Sequence, residues 1–182
     1  MKLLSTEHLL LRPLMLSDLD AFYQYARKPH IGPSAGWKPH ASLDESLSIL
    51  KMMIQEEEVW GITLKHNPLL IGTIGLHVRN LDNALLNQKE IGYVLDDTYW
   101  GKGFMVEAVK EVLRHAFMDL ELDCVLCGHA ITNTQSKRVI EKTGFRFTHI
   151  EQRDHFDKTK IDIMMYHLTK EDYLNGHTQT EI

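Results

Sequence analysis

A lysine flanked by glycines, Gly101-Lys102-Gly103, stands between the apolar segment Glu90-Ile-Gly-Tyr-Val-Leu95 and a helical pattern that opens at Phe104. A strand that enters a helix through glycines leaves first-turn N–H groups without intrahelical partners at the positive end of the helix dipole, so a diphosphate can approach the main chain closely. Lys102 adds a mobile positive charge. A Walker loop would need a glycine five residues before the Gly-Lys pair and Ser or Thr after it; Asp96 and Gly103 hold those places, which excludes it. A dinucleotide fingerprint fits Gly101-x-Gly103 but meets Val106 at its third glycine, with Asp123 at a suitable spacing for a ribose contact. A tight turn without a ligand is the remaining reading.

Two other groups of residues invite chemistry. Cys124 and Cys127 have Cys-x-x-Cys spacing, but their apolar context reads as a strand, where residues three apart point to opposite faces. They are expected to be buried core residues rather than a metal or redox pair. The 11 histidines are scattered singly and form no His-Glu-x-x-His pattern, so no metal site is expected.

The elements that must hold the glycine turn can be read along the chain. His8-Leu-Leu-Leu-Arg-Pro-Leu14 reads as a strand ended near Pro13, and Ser17-Asp-Leu-Asp20 offers an N-cap for a helix to about Arg27. Pro29 to Pro39 is dense in Pro and Gly and reads as an irregular loop carrying Trp37 and Lys38, with His40 just beyond it. Ser42-Leu-Asp-Glu45 is a capping box, followed by Leu47, Leu50, Met53 and Ile54 at helical spacing to about Glu57. A hairpin follows, Val59 to Leu64 and Leu70 to Val78 about a turn at His66-Asn-Pro68, then a polar loop from Asn80 to Asn87 and the strand Glu90 to Leu95. From Phe104 to Leu120 an apolar stripe of Met105, Ala108, Val109, Val112, Ala116 and Phe117 opposes Glu107, Lys110, Glu111 and Arg114. A strand from Asp123 to Ile131, a helix from Gln135 to Thr143 stopped by Gly144, and strands at Phe145 to Glu151 and Lys160 to Leu168 complete the pattern.

These elements predict an α+β fold, one domain over 1–182, with a mixed, mostly antiparallel sheet of about seven strands and helices on both faces. At 182 residues, 43% hydrophobic and 25% charged, the chain can bury a full core. A net charge of −5 provides no basic field for nucleic acid or anionic membranes. No apolar run reaches the roughly 20 residues of a membrane span and the first residues break into charge before any signal segment, so a cytoplasmic location is expected.

The chain resembles the GNAT superfamily of N-acetyltransferases, and within it the branch that modifies ribosomal-protein N-termini. Tyr99-Trp-Gly-Lys-Gly-Phe-Met-Val-Glu-Ala108 is similar to that branch's acetyl-CoA pyrophosphate loop, the block from Asn133 and Ser136 to Gly144-Phe145 to its Asn-x-x-Ser signature, and His8 to Leu14 to its first strand. The resemblance covers nearly the whole chain. Three departures stand out: Trp100 where the family pattern has Gln or Arg, Met105 where it has Gly or Ala, crowding the helix start, and Ile140 where many members place a Tyr that protonates the departing thiolate.

The resemblance implies an acetyl-CoA-dependent transfer to a primary amine, a protein N-terminus or a small molecule, by direct attack in a ternary complex. Gly101, Lys102, Gly103, Phe104 and Met105 would hold the cofactor's phosphates, main-chain N–H groups around Val94 and Leu95 its pantetheine and thioester, and the Asn133 amide its pantetheine arm. Glu90, at the head of the strand leading to the loop, is the first candidate base, and His155 the second because imidazole titrates near neutrality. Ser136 is the candidate donor to the thiolate, its alternative being a helix cap. Trp37, Lys38 and His40 would form the acceptor groove. A homodimer is compatible with the branch. Without the Tyr at position 140, a non-catalytic acyl-CoA sensor on the same fold is the alternative, followed by the dinucleotide-binding domain.

Overall fold

A computed structural model describes residues 1–79 and 87–178. Along the chain run β1 (Leu4–Ser5), β2 (Leu9–Pro13), α1 (Leu19–Ala26), α2 (Ile31–Ser34), α3 (Leu43–Glu56), β3 (Val59–Leu64), β4 (Asn67–Val78), β5 (Gln88–Leu95), α4 (Phe104–Arg114), β6 (Cys124–Ala130), α5 (Thr134–Lys142), β7 (Arg146–Asp154), β8 (Lys160–Thr169) and α6 (Lys170–Thr178). The strands form one sheet in the order β1-β2-β3-β4-β5-β6-β8-β7. Every pairing is antiparallel except β5 with β6. The expected sheet is therefore present with one more strand, the two-residue β1 against β2. Except for Asn87, the loop expected at 80–87 lies outside the described residues.

Helices cover both faces. The α4 stripe is buried as its spacing requires, with Ala108, Val109, Val112, Ala116 and Phe117 sealed against Leu9, Leu11, Ile62, Ile74 and Val125. Burying each larger side chain contributes roughly 1.5–3 kcal/mol. Past Arg114 this helix widens into a π-turn, His115–Asp119, where the α-helix had been expected to run on to Leu120. The opposite face carries a second cluster in which Phe22, Tyr25 and Ala26 of α1 and Leu50 of α3 pack on Val59 and Leu70.

Local chemistry sets the ends. In α3 the Ser42 hydroxyl accepts the Glu45 N–H (3.1 Å) while the Glu45 carboxylate accepts the Ala41 N–H (2.6 Å), close to the expected capping box. Asp18 does not cap α1. Its buried carboxylate takes both guanidinium nitrogens of Arg12 (2.8 and 2.6 Å) and the Met15 N–H, pinning the exit of β2 to the start of the helix. Cys124 and Cys127 are free and buried on β6, as expected, and burial pushes the Cys127 thiol up to about 12. No helix among the described residues is long and apolar enough to cross a membrane.

Candidate active site

The parallel pair of strands comes apart. β5 and β6 are in register from Gln88↔Cys124 to Ile91↔Cys127 and no further, although β5 continues to Leu95 and β6 to Ala130. Between the diverging ends opens a cleft of about 1390 Å³, walled by Gly92 to Leu95 on one side and Gly128 to Ala130 on the other. Asp96 N–H donates to the Ile71 carbonyl of β4 (2.9 Å), and the two-residue alternation of an antiparallel ladder then directs the main-chain groups of Tyr93 and Leu95 into the opening. Val94 faces the other way in that ladder, opposite Thr73, and brings its side chain rather than its N–H to the cleft. That corrects half of the expected donor pair. The Leu95 carbonyl is taken by the indole N–H of Trp100 (2.8 Å).

At the C-terminal end of β5 the chain turns through Asp96, whose carboxylate accepts the Thr98 N–H (2.9 Å) and, with Asp97, pairs with Lys28. Gly101 and Gly103 have φ of 77° and 84°, in the left-handed region that suits glycine. Ideal Cβ atoms there would meet nothing within 4 Å, so the turn presents bare main chain to the start of α4. Gly101, Gly103, Phe104 and Met105 border the cleft; Lys102 does not, and its ammonium lies 5.0 Å over the Tyr99 ring. The expected crowding by Met105 is absent because its side chain packs down into the core. Asp123, the residue suggested for a ribose contact, is held by the Asn87 N–H (2.9 Å) just before β6, at the opposite end of the strands from the glycine turn. The dinucleotide plan therefore fails on position.

Across the opening, Asn133 caps α5: its carbonyl oxygen accepts the Ser136 N–H (3.0 Å) and its amide donates to the Ser34 carbonyl (2.8 Å). Both ends of this amide are engaged, so it ties the loop around α2 across the cleft instead of being open to a pantetheine arm. Ser136 is not the cap. Its hydroxyl meets the Tyr93 phenol at 2.9 Å, and burial holds that phenol well above its ordinary range, so it stays protonated. Ile140 is wholly buried in the core, and the aromatic hydroxyl that meets Ser136 at the cleft comes from Tyr93 of β5.

The remaining candidates divide. Trp37, Lys38 and His40 all line the cleft; the buried His40 ring bonds Ser46 (2.7 Å), and Lys38 pairs with Glu45 (3.3 Å). Glu90 also reaches the cleft, but both of its oxygens are occupied, by Arg79 (2.8 Å) and by both terminal nitrogens of Arg153 (3.0 and 3.1 Å). Glu151 closes the ring by accepting from the same two arginines. A carboxylate bound this way is committed to its guanidinium partners on both oxygens. His155 does not line the cleft: it sits in the β7–β8 turn, bonded to Asp157 (2.9 Å), while its neighbours Asp154 and Phe156 do. Sequence reasoning missed Tyr93, Arg153 and His77, which all line the cleft and which no local pattern marks.

A protein-family model described as an acetyltransferase (GNAT) domain matches residues 8–146. The uncharacterized N-acetyltransferase p20 of Bacillus licheniformis is 29% identical over 181 residues, covering 95% of this chain and 99% of its own length. Among solved structures, a GNAT-family acetyltransferase from Bacillus anthracis superposes with a TM-score of 0.84 at 22% identity, over 93% of this chain and 99% of that one. RimL, a ribosomal-protein acetyltransferase in complex with coenzyme A, superposes with a TM-score of 0.77 at 18% identity, over 92% of this chain and 98% of its own.

Proposed function

The chain belongs to the GNAT family and is an acetyl-CoA-dependent N-acetyltransferase, and from that premise we propose that it acetylates the α-amino group of a peptide or protein by direct attack in the cleft. The divergence of β5 from β6 beside a bare glycine turn carries this reading. When bound, acetyl-CoA supplies a thioester acyl group, which the amine nitrogen takes as a new C–N bond while the C–S bond breaks and its electron pair leaves with sulfur. The cleft's volume, the inward Leu95 N–H and the open turn at Gly101 and Gly103 suit such a donor. The turn and the first N–H groups of α4 meet its phosphates, and Arg138 and Lys142 of α5 also line the cleft. Ser136 donates a hydrogen bond to the departing sulfur, which takes up the proton the acylated amine loses, while the Tyr93 phenol behind Ser136 stays protonated and orients its hydroxyl.

The acceptor side favours a peptide amine over a polyamine. Trp37, Ile49, Met53 and Phe156 give it apolar contact surface, and of its carboxylates Glu45, Glu90 and Asp154 already have cationic partners, which leaves Glu56 alone among the described residues to draw a multivalent cation. RimL, by its description, acts on a ribosomal protein's α-amine, which is the same acceptor class. Free-thiol release should be measured with peptides bearing free α-amines, spermidine and glucosamine. The peptides are expected to turn over fastest, and Ser136→Ala and Tyr93→Phe to slow them by about 10-fold or more at unchanged acetyl-CoA affinity. Binding of acetyl-CoA without thiol release from any amine would overturn the catalytic reading and leave a sensor domain.

A further inference from the structure

We propose that His77 is the general base of this transfer, accepting the acceptor's ammonium proton at Nε2, and that Glu58 holds the imidazole in the tautomer able to do so; the proposal rests on the acetyl-transfer reading above. His77 lies on β4 directly opposite Glu90 of β5. It borders both the main cleft and a side pocket of about 340 Å³ shared with Arg79, Glu90, Gly92 and Arg153.

Two glycines make room for the ring. Gly75 and Gly92 are cross-strand partners, so the sheet bears no side chain at that level on the face His77 occupies. A Cβ on Gly75 would come within 2.8 Å of His77 Nε2, and one on Gly92 within 3.6 Å of Cδ2 and Nε2. The imidazole thus lies along the sheet with Nε2 nearest Gly75 and next to its partner Gly92, the first residue of β5 beyond the last β6 pairing at Ile91↔Cys127. The nitrogen is brought to the place where the cleft opens.

The other nitrogen sets the tautomer. Nδ1 is 3.3 Å from Glu58 Oε2, and a carboxylate only accepts, so Nδ1 is the nitrogen that carries the hydrogen and, in the neutral ring, Nε2 is the one with the lone pair. No hydrogen-bond partner of Nε2 occurs among the described residues. The side chain is 44% exposed, which leaves room for an incoming amine. Proton transfer breaks one N–H bond of the ammonium, leaves the electron pair on the amine nitrogen and forms Nε2–H. The imidazolium is balanced by Glu58 and returns its proton to solvent through the exposed edge of the ring. The charged groups around it are Glu58 with Lys89 (3.8 Å), Glu56 at the end of α3, and Glu90 within its arginine ring. Glu90, the alternative carboxylate on the same face, is bound to two guanidinium groups; His77 is not.

The test is the pH profile of kcat/KM for a short peptide with a free α-amino group at saturating acetyl-CoA. The wild type should show an acid limb of unit slope. His77→Ala should lose that limb and about 100-fold or more of kcat/KM, with unchanged acetyl-CoA affinity, and imidazole added to the buffer should restore part of the rate. Glu58→Gln should cost about 10-fold and move the limb to lower pH, because the imidazolium loses its counter-charge. If His77→Ala keeps both rate and limb while the wild type transfers acetyl normally, the base assignment is overturned alone. If the wild type acetylates no amine, it falls together with the acetyl-transfer reading. A His77→Ala protein that is slow but unresponsive to imidazole, with the acid limb intact, also overturns it by assigning His77 a structural role.

Discussion

Two glycines with almost the same backbone separate what the turn does for folding from what it does for binding. Gly103 (φ 84°) precedes α4 and Gly144 (φ 86°) follows α5, and a Cβ at either would meet nothing within 4 Å. Alanine at either site therefore incurs the left-handed penalty of about 1–2 kcal/mol without a clash, offset by roughly 0.4–1 kcal/mol because the unfolded chain loses freedom. The net loss of about 1 kcal/mol corresponds to a Tm lower by roughly 2–4 °C for a chain of this size. Only Gly103 borders the cleft. A methyl group there keeps the diphosphate from the main chain, and losing one hydrogen bond to a charged oxygen costs about 1.5–3 kcal/mol, or roughly 10- to 100-fold in affinity. Calorimetric titration of acetyl-CoA with thermal melts of both variants gives the comparison: matched Tm losses, with affinity reduced in Gly103→Ala alone. If Gly103→Ala binds acetyl-CoA as tightly as Gly144→Ala, the glycine turn is a structural joint and does not hold phosphate.

Two further outcomes follow from the charges beside the cleft. Glu90→Gln should lower Tm by about 4–8 °C, since removing one partner of a largely buried, hydrogen-bonded ion pair costs about 2 kcal/mol, while reducing kcat/KM far less than His77→Ala; unchanged Tm with lost turnover would return the base role to Glu90. His40 has its pKa lowered from 6.5 by burial, against the opposing effect of Glu45, so below that pH the unfolded chain takes up a proton that the folded one refuses; melts should show stability falling as the pH drops below 6.5, and His40→Gln should flatten that fall.

The elements that position the site were legible wherever one local rule decided them. The α4 stripe, the Ser42 cap and the glycine turn each depend on neighbours in sequence, and each occurs where the residue pattern places it. Where two rules competed, the pattern misled. Ser17-Asp-Leu-Asp20 reads as a helix cap, yet the Asp18 carboxylate within it is taken by Arg12 from the preceding strand, which binds it more completely than two backbone N–H groups would. Asn133 does cap, and what could not be read is that its other end reaches Ser34, 99 residues earlier.

The acid–base chemistry was the least legible part because it depends on strand register, which no single segment encodes. Glu90 attracts notice by its position before the glycine turn, but its character is decided by Arg79, 11 residues away across the hairpin, and Arg153, 63 residues away on β7. Those two contacts turn a candidate base into half of an ion-pair ring. Through the same register His77, one of 11 scattered histidines, becomes the imidazole that lies over two facing glycines at the mouth of the split. A shift of one residue between β4 and β5 would oppose His77 to Ile91 or Lys89 in place of Glu90 and take Gly92 out from under the ring. The catalytic geometry is therefore as sensitive to the alignment of β4 with β5 as to the identity of any side chain in them, and substitutions within either strand that alter this register should affect turnover before they affect acetyl-CoA affinity.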